Sequence, residues 1–241
     1  MQYHDAISAK DAGKPATVLL SGGMDSSVLL YYVTRKLACK PVYALSFGYG
    51  QRHVRELVAA RRQVAALGQA VAEHLILDLS VLREIVAGNS ALMDNGQPVP
   101  ELTEIPEAER DQPPTYVPNR NLIMLALAAA FAESRGCHLV FYGAQAHDNY
   151  GYWDCNRHFL QRLNTVLGLN RRSPVAVRAP FVETSKCELL RMGLEMGVDF
   201  GSTWSCYRGE DAPCRVCPTC VERRMAFHEL GMDDPLGPDI N

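Results

Sequence analysis

The turn Ser21-Gly22-Gly23 stands between a short apolar run, Ala16–Leu20, and a helical pattern that covers Ser27–Leu37. This order of buried strand, glycine turn and helix limits the fold more than any other feature, because it opens a repeat of strands and helices. The repeat continues with a strand, a helix and a strand, at Pro41–Phe47, Arg52–Leu67 and His74–Leu79. Such an order predicts an α/β fold in which a parallel twisted sheet has helices on both faces.

The second half of the chain resumes this alternation after one long interruption. Residues 80–118 contain many Gly, Asn and Pro residues and no clear pattern, which is typical of a functional loop. The elements predicted after it are helices at Asn119–Ser134, Asp154–Leu167 and Thr184–Met196 and strands at His138–Ala144 and Val175–Pro180. Either Thr184 or Ser185 can cap the last of these helices.

Four cysteines lie close together near the end of the sequence, with the spacing C-x7-C-x2-C-x2-C: Cys206, Cys214, Cys217 and Cys220. Structural zinc takes four tetrahedral ligands, and the two C-x2-C steps let one short turn supply three of them. A complete Cys₄ shell leaves no position for water, so the pattern predicts a structural Zn²⁺. Free thiols or a redox pair are the alternative interpretation.

The composition changes after residue 198, where the chain becomes rich in Cys, Pro and Gly. This part is too short to build its own apolar core, so something must hold it together. We therefore predict two units. Residues 1–198 form the α/β domain, and residues 199–241 form a small C-terminal zinc-binding subdomain with one helix at Val221–Leu230.

The glycine turn has the properties of a phosphate-binding loop. A strand that ends in Ser-Gly-Gly and opens a helix presents backbone N–H groups to an anion, and glycine lets the backbone approach it closely. Asp25 would repel phosphate directly, so its useful role is to hold a Mg²⁺ ion that the phosphates share. No Gly-Lys-Ser/Thr follows, so this is not a Walker A loop. The predicted nucleotide-binding stretch is Leu20, Ser21, Gly22, Gly23, Met24, Asp25, Ser26 and Ser27.

Charge and hydropathy exclude several classes of protein. The 241 residues carry a net charge of −3, which argues against broad nonspecific binding to nucleic acid. The longest apolar run, Leu122–Ala132, is shorter than the ~18 residues that a membrane helix needs. Residues 1–14 lack the apolar centre of a secretory signal, so we expect a cytoplasmic protein.

The loop sequence SGGMDSS resembles the SGGxDS loop of the N-type ATP pyrophosphatases. Four further segments occur in the order found in one family of these enzymes: Tyr49-Gly50-Gln51-Arg52-His53, Tyr116-Val117-Pro118-Asn119-Arg120-Asn121, Gly151-Tyr152-Trp153-Asp154-Cys155 and Thr203-Trp204-Ser205-Cys206-Tyr207. Together they resemble the 7-cyano-7-deazaguanine synthase family, the preQ0-forming enzymes of queuosine biosynthesis. The resemblance spans about residues 16–228.

The resemblance implies an adenine nucleotide alpha hydrolase-like fold, ATP with Mg²⁺ as the nucleotide, a homodimer and a two-step activation. The carboxylate of 7-carboxy-7-deazaguanine would attack the α-phosphate of ATP, ammonia would displace AMP, and a second ATP would convert the amide to the nitrile. It also implies two sets of site residues. The catalytic set is Asp25, Arg120, Lys186, Asp148 and Asp154, and Gln51, Arg52, His53, Arg120 and Asn121 join the nucleotide-binding stretch.

The sequence departs from the family pattern at three places. Asn119 and Arg215 each stand where the family has glycine. The third place is the segment Asp148–Asn156, in which five family residues remain and the others have changed. The five that remain are Asp148, Gly151, Tyr152, Asp154 and Cys155. We expect this segment to line the deazaguanine pocket, where Asn156 replaces an arginine. One alternative is therefore a ligase that joins the activated acid as an amide to another amine, such as a protein N-terminus. A tRNA-thiolating ATP pyrophosphatase and a non-catalytic nucleotide-binding module are further alternatives.

Overall fold

The computed structural model describes residues 10–51, 55–86, 90–93, 97–106, 113–145 and 152–237. Five parallel strands form one sheet in the order β3-β2-β1-β4-β5. The strands are β1 (Ala16–Leu19), β2 (Val42–Gly48), β3 (Glu73–Asp78), β4 (Leu139–Phe141) and β5 (Ala176–Arg178). In the centre of the sheet Val18 pairs with Ala44 on one side and Phe141 on the other. The order reverses between β1 and β4, which makes this the topological switch point.

Seven α-helices connect and cover the described strands. They are α1 (Met24–Tyr31), α2 (Arg55–Leu67), α3 (Val81–Val86), α4 (Arg120–Ser134), α5 (Arg157–Leu167), α6 (Lys186–Glu195) and α7 (Pro218–Glu229). A π-helical turn, Tyr32–Lys36, extends α1. Short 3₁₀ turns occur at Gly68–Ala70, Leu102–Glu104, Trp153–Cys155 and Phe200–Ser202.

Alternating side chains along the strands give the sheet two apolar faces. Ala16 and Val18 of β1 pack on one face with residues from α1, α6 and α7. Leu45 of β2 and Val140 of β4 pack on the other face with residues from α3, α4 and α5. This period of two is what a parallel sheet covered on both sides requires, and it accounts for the nearly continuous apolar runs of the strands.

Element boundaries differ from the prediction in several places. Helix α1 begins at Met24, three residues before Ser27, because Gly23 already accepts hydrogen bonds from the amide and hydroxyl of Ser27. Helix α3 lies in the stretch read as patternless, since its six residues are too few to show a period. Ser185, not Thr184, caps α6, and its hydroxyl accepts from the Glu188 amide at 3.2 Å.

The predicted boundary at residue 198/199 stays a prediction, and several contacts cross it. Gln63 donates to the carbonyl of Asp199, and Ala226 and Phe227 of α7 belong to the core of the first face. Within residues 199–241, the buried Arg223 guanidinium makes a two-point ion pair with Asp234, with bonds of 2.8 and 2.9 Å. Helix α7 starts at Pro218, three residues before the predicted Val221. Among the described residues no helix is long and apolar enough to span a membrane.

Candidate active site

A cavity of about 240 Å³ opens at the carboxyl ends of the central strands. It lies where β1 and β4 diverge in strand order, the place at which open α/β sheets bind ligands. Its lining brings together the glycine turn after β1, the chain after β2, the first turn of α4 and the residues after β4. The polar and aromatic lining residues are Ser21, Asp25, Ser26, Phe47, Tyr49, Gln51, Glu56, Arg120, Asn121, Tyr142, Cys155 and Tyr207.

Gly22 fixes the path of the phosphate loop. Its φ is +89°, in the region that favours glycine. A Cβ atom there would lie 2.1 Å from the carbonyl oxygen of Glu56 and 2.6 Å from the amide nitrogen of Ala60, both in α2. From the other side, the amide of Trp204 donates to the carbonyl of Gly22 at 3.0 Å. The loop is therefore held between α2 and the chain that leads into the cysteine cluster.

The hydroxyls predicted to bind phosphate organise the loop itself. The Ser26 hydroxyl accepts from the amides of Ser21 and Gly22, each at 3.2 Å, and lies 3.0 Å from the Ser21 hydroxyl. The Ser27 hydroxyl donates to the carbonyl of Gly23 at 2.8 Å. Three members of the predicted stretch do not line the cavity: Gly22 packs on α2, and Met24 and Ser27 are buried in α1.

Asp25 and Lys186 form the charged centre of the loop. The Lys186 ammonium donates to both carboxylate oxygens of Asp25, at 2.8 and 2.7 Å, and to the side-chain carbonyl of Gln145 at 3.1 Å. Lys186 is the first residue of α6, and Asp25 belongs to the first turn of α1. The fold thus joins two predicted catalytic residues that are 161 positions apart. Asp25 supplies the oxygen donors that Mg²⁺ prefers, so its chemistry fits the predicted role once the ammonium releases it.

Arg120 places a second positive charge on the cavity wall. Its guanidinium donates to the Tyr49 hydroxyl at 3.2 Å and lies 5.6 Å from the centre of that ring. Burial acts to lower the pKa of Arg120, but the surrounding tyrosine hydroxyls and the Asp154 carboxyl raise it, so the group stays charged. Burial also raises the pKa of Tyr49, and Arg120 offsets this only in part. The pair therefore persists as a cation with a neutral phenol.

Two of the remaining predicted nucleotide-binding residues, Asn121 and Gln51, belong to the described part of the chain. Asn121 lines the cavity and donates to the Cys155 sulfur at 3.4 Å. Gln51 also lines it, but its side-chain amide bonds its own turn, accepting from the Tyr49 amide and donating to the Phe47 carbonyl. Arg52 and His53 lie outside the described residues.

The segment expected to line the deazaguanine pocket is described from Tyr152 onward, so Asp148 and its neighbours up to Gly151 lie outside the described residues. Within the described part, Cys155 alone lines the cavity. Asp154 is buried and does not line the cavity. The Asn156 side chain accepts from the Phe159 amide at 2.9 Å and caps α5. Its position is thus explained by helix capping.

The four clustered cysteines converge as a metal site requires. The Sγ atoms of Cys206, Cys214, Cys217 and Cys220 all lie within 4.8 Å of one another. The Cys214 amide donates to the Cys206 sulfur and the Cys217 amide to the Cys214 sulfur, both at 3.3 Å. Hydrogen bonds among these thiols lower the pKa of Cys217 and raise the pKa of Cys206 and Cys220. The donor set and its backbone N–H···S bonds fit a bound metal ion. The short turn that carries Cys214, Cys217 and Cys220 is called the knuckle below. Arg215, within this turn, has φ +66°, as expected where the family has glycine.

Several residues of the cavity were not predicted. The motifs contain Tyr207 and Tyr49 without assigning them a role, and they include neither Glu56 and Tyr142 of the cavity nor Gln145, which bonds Lys186. Tyr207 follows Cys206 directly, so the predicted cluster could have indicated it. Gln145 and Tyr142 come just after or within the predicted strand His138–Ala144. Their place at the carboxyl end of a central strand is the signal that could have found them.

Comparison with known proteins agrees with this architecture. A family model described as "Queuosine biosynthesis protein QueC" matches residues 15–231. The 7-cyano-7-deazaguanine synthase of Alteromonas mediterranea is 39% identical over 222 residues, 91% of this chain and 96% of that protein. The 7-cyano-7-deazaguanine synthase of Archaeoglobus fulgidus is 41% identical over 225 residues, 93% of this chain and 90% of that protein.

Solved structures support the fold. The NMN synthetase of Francisella tularensis aligns with a TM-score of 0.50 at 14% identity and covers 95% of this chain and 82% of that one. At this identity the likeness shows the fold alone. Together with the five-stranded parallel sheet, it confirms the predicted α/β class.

Proposed function

This chain belongs to the QueC family of queuosine biosynthesis proteins, and on that premise we propose that it is an ATP-dependent carbon–nitrogen ligase that makes 7-cyano-7-deazaguanine. The acid 7-carboxy-7-deazaguanine would be adenylated, aminated with ammonia and dehydrated to the nitrile. The observation that carries the proposal is the convergence of the phosphate loop, Asp25 and Arg120 on one cavity, with the Lys186 ammonium bonded to Asp25. Each supplies what adenylation requires at the carboxyl ends of β1 and β4.

The loop is suited to the pyrophosphate part of ATP. Gly22 allows the backbone to pack against α2, and Ser21, Gly23 and Ser26 line the cavity at the N-terminus of α1. Charge builds on the pyrophosphate as the bond between the α and β phosphates breaks, and pre-placed donors stabilise that charge without reorganising. Mg²⁺ held by Asp25 would neutralise part of it.

Two cations of the chain are available for the α-phosphate. Lys186 and Arg120 come from opposite faces of the sheet, through the N-termini of α6 and α4. The Lys186 ammonium is held at the loop by Asp25 and Gln145, and Arg120 is held by Tyr49. An acid bound between them would meet the α-phosphate with its carboxylate. Positioning of this kind contributes a large share of the rate enhancement in such reactions.

The cysteine cluster has a structural role in this proposal. Four thiolates around Zn²⁺ would leave no open position, so the ion would hold the knuckle and take no part in the chemistry. The homodimer, a protein partner or acceptor and the cytoplasmic location stay predictions from the sequence.

The test is a single-turnover reaction of the protein with 7-carboxy-7-deazaguanine, ATP, Mg²⁺ and ammonium. Mass spectrometry follows acid, amide and nitrile separately, and AMP is counted per product. We expect nitrile with two AMP per molecule. Amide alone, or acid transferred to an added amine or a protein N-terminus, would replace the proposal with the amide ligase. No AMP release at all would remove both.

Matched variants make the test specific to the site. Asp25→Asn removes one carboxylate charge at the loop, and Glu195→Gln removes one at the exposed end of α6. We expect the first to lose activity and the second to keep it. Equal activity in the two variants would contradict the assignment of the loop. Activation of a tRNA base in place of the deazaguanine acid would indicate the tRNA-modifying alternative.

A further inference from the structure

The chain segment 204–207 lies between the cysteine cluster and the phosphate loop and contacts both. The Trp204 amide donates to the Gly22 carbonyl at 3.0 Å. Two residues later Cys206 joins the cluster, and the next residue, Tyr207, lines the cavity. Four consecutive residues therefore connect a candidate metal site with the loop that precedes α1.

The Trp204 side chain belongs to the cluster side of this connection. It is 7% exposed and packs with Ala59 and three of the cluster cysteines in one apolar group. Its indole N–H donates to the Cys206 carbonyl at 3.0 Å. The Arg55 guanidinium lies 5.1 Å from the ring centre on the α2 side. The residue after Trp204 is also bound to α7, because the Thr219 hydroxyl donates to the Ser205 carbonyl at 2.7 Å. This bond joins segment 204–207 to the first turn of the helix that follows Cys217.

The loop cannot adjust freely to a displaced Trp204. Gly22 is already in close contact with α2, where a Cβ atom would meet the Glu56 carbonyl at 2.1 Å. A backbone this tightly packed has few alternative positions, since packed interiors change between discrete arrangements and do not deform continuously. A shift of segment 204–207 would therefore remove the Gly22 bond and move the Tyr207 wall of the cavity together.

We propose that Trp204 is a positioning residue that couples metal occupancy of the cysteine cluster to nucleotide binding at the phosphate loop. The metal fixes Cys206, the indole bond and the packing fix Trp204, and the Trp204 amide fixes Gly22. The inference rests on the proposed ATP site. Coupling of this kind is reciprocal, so a bound nucleotide must stabilise the bound metal by the same factor by which the metal improves nucleotide affinity.

Reciprocity gives a test that does not depend on turnover. Protein loaded with Zn²⁺ is titrated with a competing chelating dye, and the equilibrium Kd for zinc is measured with and without saturating ATP in the absence of the acid. We expect ATP to lower the Kd for zinc by about fivefold or more, the lower end of ordinary coupling. Calorimetry on the same preparation reports whether ATP binds.

The chain contains two tryptophans, so Trp153→Phe leaves Trp204 as the sole indole. In that background, with ATP affinity measured for the variant itself, Trp204 fluorescence should change with the same rate constant as zinc release. Fluorescence that stays constant while zinc leaves would contradict a link through this side chain.

Two variants locate the coupling. Trp204→Leu should reduce the ATP effect on zinc affinity to less than about twofold, and Trp204→Phe, which keeps an aromatic ring but loses the N–H donor and part of the packed surface, should give an intermediate value. Phe227→Leu is the control, because Phe227 is also a buried aromatic residue but packs on Phe200 and does not line the cavity. It should keep the full ATP effect despite a lower melting temperature. If Trp204→Leu holds no zinc, the comparison rests on Trp204→Phe.

The outcomes separate the two proposals. No ATP binding to the zinc-loaded protein overturns the proposed nucleotide site and the coupling with it. ATP binding with an unchanged Kd for zinc overturns the coupling alone. A full ATP effect in both Trp204 variants, or a loss of the effect in Phe227→Leu, overturns Trp204 as the residue responsible.

Discussion

Replacing Gly22 with alanine tests whether the packing of the phosphate loop sets the activity. Two effects add. The residue has φ +89°, and an L-side chain in the left-handed region costs about 1–2 kcal/mol. The new Cβ would also lie 2.1 Å from the Glu56 carbonyl oxygen and 2.6 Å from the Ala60 amide nitrogen, both rigid backbone atoms of α2. Overpacking of this kind costs about 1–3 kcal/mol more.

Relief of the contact requires the loop or α2 to move by about 1 Å. Since misplacement by about 1 Å can lower a rate roughly 10²-fold, we expect ATP-dependent pyrophosphate release in Gly22→Ala to fall by about that factor. We also expect a loss of stability of about 2–5 kcal/mol in urea denaturation. The assays are continuous pyrophosphate detection and a urea titration of the same preparation.

Gly136 provides the matched control. Its φ is +64°, but a Cβ atom there would meet nothing within 4 Å. Gly136→Ala therefore has the backbone strain without the clash, and should lose only about 1–2 kcal/mol and keep its activity. Pyrophosphate release by Gly22→Ala within a factor of a few of that of Gly136→Ala would refute the reasoning from close packing.

Three further predictions follow from the site. Asp25→Asn should lower turnover by about 10²-fold or more while the protein stays folded, because it removes the charge that faces Lys186 and the proposed Mg²⁺. Pyrophosphate release measures the turnover, and circular dichroism measures the folding. Cys217→Ser should lower the zinc content below about one per chain and reduce the melting temperature, since binding energy at such a cluster is folding energy; elemental analysis and a thermal melt report both. Asn156→Arg, which restores the family residue, should remove the cap of α5 and lower the stability by about 0.5–2 kcal/mol. It should not raise the ratio of nitrile to amide, because Asn156 bonds the Phe159 amide and does not line the cavity. A higher ratio of nitrile to amide would show that this position acts on the chemistry.

Much of the fold could be predicted because its signals are local. The central strands β1 and β4 are short and mainly apolar, and buried parallel strands require that pattern whatever lies around them. Boundaries were less accurate where a tertiary or side-chain bond decides them. Helix α1 starts at Met24 because the Ser27 hydroxyl bonds the Gly23 carbonyl, and α6 starts after Ser185 because that hydroxyl bonds the Glu188 amide. Helix α3 has only six residues, too few for a helical period to be recognised.

The sequence offered candidate site residues one by one but not their arrangement. It proposed Asp25 and Lys186 separately, and the fold brings them within 2.7 Å. Gln145 has no motif around it, so its bond to Lys186 could not be expected. Met24 belongs to the loop motif, yet it is buried in the core because α1 has already begun there. Such outcomes depend on which way a side chain points, which a motif does not specify.

The order of the strands has a consequence for synthesis of the chain. β1 is the first strand in the sequence but lies in the middle of the sheet, and β4, its partner on one side, begins only at Leu139. While the intervening residues are being made, β2 and β3 can pair on one side, and the other edge of β1 stays open. An unpaired strand edge of this kind is a site of aggregation. We therefore expect a nascent chain that stops before Leu139 to be insoluble or chaperone-bound, whereas one extended past β5 has every strand of the sheet available for pairing.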